Sequence, residues 1–164
     1  MPFWDEERWQ RELDWLALCG VNLVLDITGM EEVWYRFLDA LGYTDEEIRR
    51  WIVGPCYGAW QQMQNMEQFG GPVPRQFFAD RAALARKNQQ WMRDMGMAVV
   101  RQGYGGMVPS WHGTKHEGAP VCAQGQWNGL VRPAMLDTAS REYQDCAALF
   151  YRIQDQVFGT GSHY

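Results

Sequence analysis

Apolar residues in this chain alternate between helical spacing and short unbroken runs. Behind Asp5, which can accept from the first free N–H groups of a helix, Trp9, Leu13 and Leu16 recur at helical spacing. Glu6 and Glu7 suit the positive end of that helix, and Gly20 supplies its stop. The run 21–27, VNLVLDI, is short, branched and almost wholly apolar. It predicts a strand buried on both faces of a parallel sheet. Thr28-Gly29 then turns the chain into a helix carrying Val33, Trp34, Phe37, Leu38 and Leu41 on one face, with Gly42 at its end.

Thr44-Asp45-Glu46-Glu47 has the form of a capping box, so a third helix should follow with Ile48, Trp51 and Ile52 inward until Gly54-Pro55. The segment 56–74 is rich in Gly, Gln, Met and aromatics and reads as a long functional excursion. A helix over about 76–95 places Phe77, Leu84, Trp91 and Met95 on one side, with Gly96 as its stop. The run 97–102 predicts a second buried strand, and a Gly- and Pro-dense loop follows. A last amphipathic helix carries Tyr143, Ala147, Phe150, Ile153 and Val157 and ends at Gly159.

This order is β/α alternation with large insertions after each strand, and it calls for a parallel sheet. Such units build either doubly wound sheets or (β/α)8 barrels. Two strands are too few to close either, so the pattern alone suggests part of a larger α/β domain.

With 164 residues, 46% of them hydrophobic, the chain suits one domain with a sizeable core, here taken as 1–164. A net charge of −5 argues against a nucleic-acid partner, because phosphate binding wants clustered Lys and Arg. No apolar stretch approaches the roughly 18 residues of a membrane span, so no membrane partner is expected. The first residues lack the basic start and apolar core of a signal peptide, and the compartment stays open. Cys19, Cys56, Cys122 and Cys146 are far apart and read as free thiols. The nine tryptophans suit a protein that stacks rings against sugars.

Three segments carry a more specific signal. Residues 4–22, WDEERWQRELDWLALCGVN, resemble the W-D-x-x-R-W-E-x-E-I-D-W-M-A-L-N-G-I-N of glycoside hydrolase family 89, the α-N-acetylglucosaminidases. Residues 28–34, TGMEEVW, and 54–65, GPCYGAWQQMQN, are similar to that family's G-Q-E-A-x-W and G-P-A-x-x-x-W-x-x-M-G-N. Residues 96–109, GMAVVRQGYGGMVP, are close to its G-M-T-P-V-L-x-x-F-x-G-H-V-P. The likeness resumes at Trp127 and at Arg132-Pro133 through Phe158-Gly159. Cys19, Met30, Gln64 and Met107 stand where the family has Asn, Gln, Gly and His. The last three fall in loops expected after strand ends, the rim where barrel active sites sit, so altered specificity or lost function is an expectation.

The resemblance implies a partial TIM-type (β/α)8 barrel with two parallel strands and long outer helices. It implies a glycosidase that removes terminal α-linked N-acetylglucosamine, as from heparan-type chains, by a retaining mechanism with two glutamates. Both glutamates are expected beyond Tyr164, on later parts of the same polypeptide, so the 164 residues alone should be inactive. The alternative is a non-catalytic sugar-binding remnant of the same barrel. No cofactor is implied.

Within the chain, Asp26 and Glu31 are weak internal candidates for a carboxylate pair, near the end of the first strand. Trp60, Trp127, Asn65 and Tyr104 are the candidate substrate contacts: an aromatic face covers the C–H face of a pyranose, and an amide bonds a hydroxyl. Trp60 and Trp127 are expected on one concave face. Trp9, Trp15, Trp34, Trp51 and Trp91 are expected in the core. A rival reading is a metal site from His112, His116 and Cys122, but zinc needs a fuller ligand set, and no metal is expected.

Overall fold

The computed structural model describes residues 1–160. Helix α1 (Glu6–Leu18) leads into strand β1 (Leu23–Leu25), and helices α2 (Met30–Ala40), α3 (Asp45–Trp51) and α4 (Gly58–Gln62) follow. Helix α5 (Arg75–Asp94) returns the chain to β2 (Ala98–Val100). An insertion then holds β3 (Met107–Val108), α6 (His112–Lys115), β4 (Val121–Cys122), β5 (Gln126–Trp127), β6 (Leu130–Val131) and β7 (Ala134–Leu136) before helix α7 (Arg141–Phe158).

The helix starts follow the side chains that read as caps. Asp5 accepts from Arg8 N at 2.8 Å, and Thr44 and Glu47 close a capping box at α3. Strands β1 and β2 are parallel, with Leu23 opposite Ala98 and Leu25 opposite Val100. Two adjacent parallel strands with their long helices fit the barrel sector that the resemblance implies.

Both strands are shorter than the runs 21–27 and 97–102. At β1 the cause is local: Asp26 turns its carboxylate onto Thr28 N at 2.8 Å, a turn that ends the extended backbone. Burial on both faces does not hold for β1 either. Val24 and Val99 pack with Leu13 of α1 and Met92 of α5, whereas Leu23 and Leu25 are 56% and 65% exposed. Two strands enclose no barrel interior, so the side chains directed there stay uncovered.

The larger core lies between α2, α3, α5 and α7 and gathers Trp34, Phe37, Trp51, Phe78 and Phe150. The inner side of α5 differs from the expected one. It is Phe78, Ala82, Ala85, Asn88, Gln89 and Met92, while Phe77 and Leu84 are half-buried and Trp91 is exposed. Small residues face inward because the chain before α2 passes very close. A Cβ on Gly29 would lie 2.8 Å from Ala82 Cα. Trp34 and Trp51 are core as expected, but Trp15 is exposed, and Trp91 lies outside, donating to Asp14 Oδ1 at 2.9 Å.

The expected loop after β2 instead contains a small antiparallel sheet in the order β3-β7-β4 and a β5–β6 hairpin. Asn128-Gly129 makes that hairpin turn, with φ of 48° and 78°. Both residues are left-handed, as a tight hairpin turn requires.

Candidate functional site

The C-terminal ends of β1 and β2 carry a cluster of polar side chains that the flanking helices bury. Asp26, just past β1, accepts from Gln89 Nε2 of α5 at 3.0 Å. Gln89 Oε1 in turn accepts from Arg101 Nη2 at 3.0 Å, just past β2. Arg101 also donates to the carbonyls of Phe158 and Gly159 at 3.1 and 2.8 Å, which fixes the end of α7 to the strand ends. Gln102 donates to Gln62 O at 2.9 Å, tying β2 to the end of α4. Its own carbonyl accepts from Gln154 Nε2 of α7 at 3.0 Å.

Burial raises the affinity of the Asp26 and Glu31 carboxyls for a proton. At Glu31 the neighbouring charge of Asp26 adds to this, while Arg81 opposes it. Glu31 Oε2, Gln102 Oε1, Gln154 Oε1 and Arg81 Nε and Nη1 are buried without a partner among the described residues. Buried polar atoms of this kind cost about 1–3 kcal/mol each when unpaired, so the cluster favours a hydroxyl-rich or amide-bearing neighbour.

Above this cluster lies the excursion between α3 and α5. The start of α4 reaches Glu31: a Cβ on Gly58 would stand 4.0 Å from Glu31 Oε1. Trp60, on α4, is 40% exposed. Asn65 closes α4 through its backbone N–H to Trp60 O at 2.9 Å. Trp127 is half-buried on β5. Its hairpin is bound to the same excursion, by Glu67 N to Val131 O at 3.1 Å and by Arg132 Nε to Gln64 O at 3.0 Å. A buried Glu67 organises the excursion from beneath, accepting from Trp51 Nε1 at 2.8 Å and from Ser110 N at 3.0 Å.

Tyr104 is a correction. Its ring is buried against Trp34, Phe37 and Phe150, and its hydroxyl points to Met107 O at 3.4 Å. A ring enclosed on these sides has no face for a sugar; the aromatic core claimed it. Met30 and Met107 are buried too, so two of the three replacements expected to alter the rim stand in the core instead. Gln64 is half-buried in the excursion's turn, at φ 64°.

His112, His116 and Cys122 do not form a ligand set. His112 Nδ1 meets Tyr43 Oη at 2.8 Å and Nε2 meets Glu142 Oε1 at 2.9 Å, so both ring nitrogens are engaged within the protein. Cys122 is exposed on β4. Among the described residues no group of three or more His, Cys, Asp or Glu is arranged to hold a metal ion.

Sequence reading missed Gln89, Arg101 and Gln154. The one available signal was Arg101-Gln102, polar residues directly abutting the apolar run of β2. Gln89 and Gln154 only interrupt the apolar faces of long helices.

Comparison with known proteins agrees with this architecture. Residues 1–164 match the family model described as "Alpha-N-acetylglucosaminidase (NAGLU) tim-barrel domain". The chain is 39% identical over 107 residues to human alpha-N-acetylglucosaminidase, covering 65% of this chain and 14% of the human protein. It superposes with a TM-score of 0.96, at 46% identity, on the family 89 glycoside hydrolase of Clostridium perfringens solved with 2-acetamido-1,2-dideoxynojirimycin. That match covers 100% of this chain and 19% of the Clostridium chain. A Clostridium perfringens structure with two glutamates changed to glutamine, in complex with its substrate GlcNAc-α-1,4-galactose, gives 0.94 over 99% of this chain at the same 46% identity. The chain therefore spans less than a fifth of the relatives it matches.

Proposed function

The chain belongs to the α-N-acetylglucosaminidase family, glycoside hydrolase family 89, and from that premise we propose that it is the β1–β2 sector of a catalytic barrel that removes terminal α-linked N-acetylglucosamine from glycans. The observation that carries this reading is the 46% identity and TM-score of 0.96 across the whole chain with a family 89 enzyme. The natural substrate class is a heparan-type chain, and the partner of this sector is the remainder of the same polypeptide.

The reaction is a double displacement with retention. One glutamate attacks the anomeric carbon while a second, protonated, gives its proton to the departing glycosidic oxygen. Water then gives a proton to that second group and displaces the enzyme carboxylate, releasing the α-anomer. The resemblance puts both glutamates past Tyr164. The substitution of two glutamates in the Clostridium substrate complex fits such a pair.

The described residues bind and orient. Trp60 covers the apolar face of the sugar, and Trp127 and Asn65, held on the same excursion, complete the contact. Asp26 fixes the strand ends through Gln89 and Arg101. Glu31, beside the start of α4, hydrogen-bonds a sugar hydroxyl or amide.

The test is to incubate the complete polypeptide carrying this sector with GlcNAc-α-1,4-galactose and follow the released sugar by proton NMR. Initial appearance of α-GlcNAc is expected. A first-formed β-anomer would overturn the retaining mechanism, and binding without cleavage would mark a non-catalytic remnant. The 164 residues alone should give no turnover.

A further inference from the structure

We propose that Glu67 is a positioning residue for the sugar site: its backbone and carboxylate fix the insertion that carries Trp127 against the excursion that carries Trp60. The proposal rests on the sugar contacts assigned above to those two rings and names the residue through which one of them is held.

Glu67 follows Asn65 in the second half of the excursion and is 3% exposed. Its backbone N–H donates to Val131 O of β6 at 3.1 Å, and Val131 pairs with Gln126, the neighbour of Trp127 on β5. Its carboxylate reaches the other end of the insertion, accepting from Ser110 N at 3.0 Å and from Ser110 Oγ. The same carboxylate accepts from Trp51 Nε1 at 2.8 Å. Trp51 is fully buried at the end of α3, and its carbonyl accepts from Gln68 N at 3.1 Å, so it is the fixed floor of the joint. Glu67 thus ties both ends of the insertion to the main core. Arg132 adds a bond across, to Gln64 O at 3.0 Å, but reaches the excursion alone.

The joint matters because the hairpin cannot hold its own shape. Strands β5 and β6 have two residues each and pair only with one another. A lone hairpin of that length is not stable in water, so the place of Trp127 is set by what the hairpin is bound to.

The donors around the carboxylate divide by chemistry. Oε2 meets Trp51 Nε1 and Ser110 N, groups that can only donate. Oε1 meets Ser110 Oγ and, at 3.0 Å, Gln68 Nε2. A hydroxyl can turn and an amide can flip, so both of these can also accept. A glutamine at 67 can therefore set its carbonyl against the first pair and its NH2 against the second and keep every bond. A leucine fills the space but leaves the Trp51 indole and the Ser110 N–H without an acceptor.

Steady-state kinetics of the complete polypeptide on GlcNAc-α-1,4-galactose, with KM and kcat separated, test this. Glu67→Leu should raise KM about tenfold, the size of a lost aromatic contact, with kcat unchanged, and Glu67→Gln should restore it. Ser110→Pro cuts the joint from the other side and decides the matter if the leucine variant folds poorly. Ser110 is the second residue of a turn closed by His112 N to Pro109 O at 2.8 Å, with Trp111 at φ −95° and ψ 12°, and proline suits that position. It should raise KM as Glu67→Leu does. Trp127→Ala should also raise KM, and adding Glu67→Leu or Ser110→Pro to it should change KM no further. An equal further rise in that background would make Glu67 a general support and overturn the proposal. An unchanged KM in either variant, or a glutamine variant as impaired as the leucine one, would do the same. If Trp127→Ala alone leaves KM at the parent's value, the sugar contact assigned to Trp127 is what fails, and the proposal falls with it. Should the unmodified protein cleave nothing, the calorimetric Kd for the disaccharide takes the place of KM, with the same sustaining and overturning results.

Discussion

Gln89 donates to Asp26 at 3.0 Å inside the protein, and its amide cannot turn over without losing the Arg101 bond on its other side. Asp26 therefore has to be an acceptor at both oxygens, one for Gln89 and one for Thr28 N. Asp26→Asn keeps the shape but sets one amide donor against another. It should cost about 1–3 kcal/mol, the usual penalty for a buried polar group left without its bond. Urea unfolding at neutral pH measures this, and an unchanged midpoint would remove Asp26 from its structural role.

Glu31 gives a prediction with a pH sign. Burial raises its proton affinity in the folded chain above the ordinary carboxyl value of 4.5. The stability it contributes is therefore fully present below that ordinary value and is lost as pH rises through the raised one. Glu31→Gln removes the titration. The variant should be more stable than the parent at neutral pH, and the difference should shrink on acidification toward pH 4.5. A difference that grows on acidification would contradict the assignment. The same variant should turn over more slowly, since stability gained at a binding group is commonly offset in function.

Gln64 occupies a left-handed position, φ 64°, where the family motif has glycine. An L side chain pays roughly 1–2 kcal/mol for that backbone, and glycine does not. Gln64→Gly should raise the midpoint of urea unfolding by a corresponding amount. Its carbonyl bond from Arg132 belongs to the backbone and survives the change. A loss of stability would mean that the Gln64 side chain, which approaches Gly105, matters more than the strain.

Much of the fold was legible because local signals and tertiary packing agreed. Asp5 and Thr44 cap the helices they precede, and Gly20, Gly42 and Gly96 end helices at positive φ. The inner face of α5 was not legible: Ala82 and Ala85 are inside because Gly29 comes close, a relation no helical wheel contains. The β5–β6 hairpin had a signal in Asn128-Gly129 that the surrounding Gly- and Pro-rich composition masked. Within the site, Trp60 could be singled out from its motif. Tyr104 could not be separated from a core residue, because an aromatic beside glycines looks the same in both roles. Gln89 and Gln154 escaped because a buried amide on a helix announces itself only through partners distant in sequence.

The central claim is that the face at the C-terminal ends of β1 and β2 holds the sugar, with Trp60 as its stacking residue. It is tested most directly by kcat/KM of the complete enzyme for GlcNAc-α-1,4-galactose with Trp60→Ala beside Trp60→Phe. Loss of the stacking face should lower kcat/KM by about tenfold or more in Trp60→Ala, with most of it restored in Trp60→Phe. A Trp60→Ala enzyme with kcat/KM equal to the parent's would contradict the account.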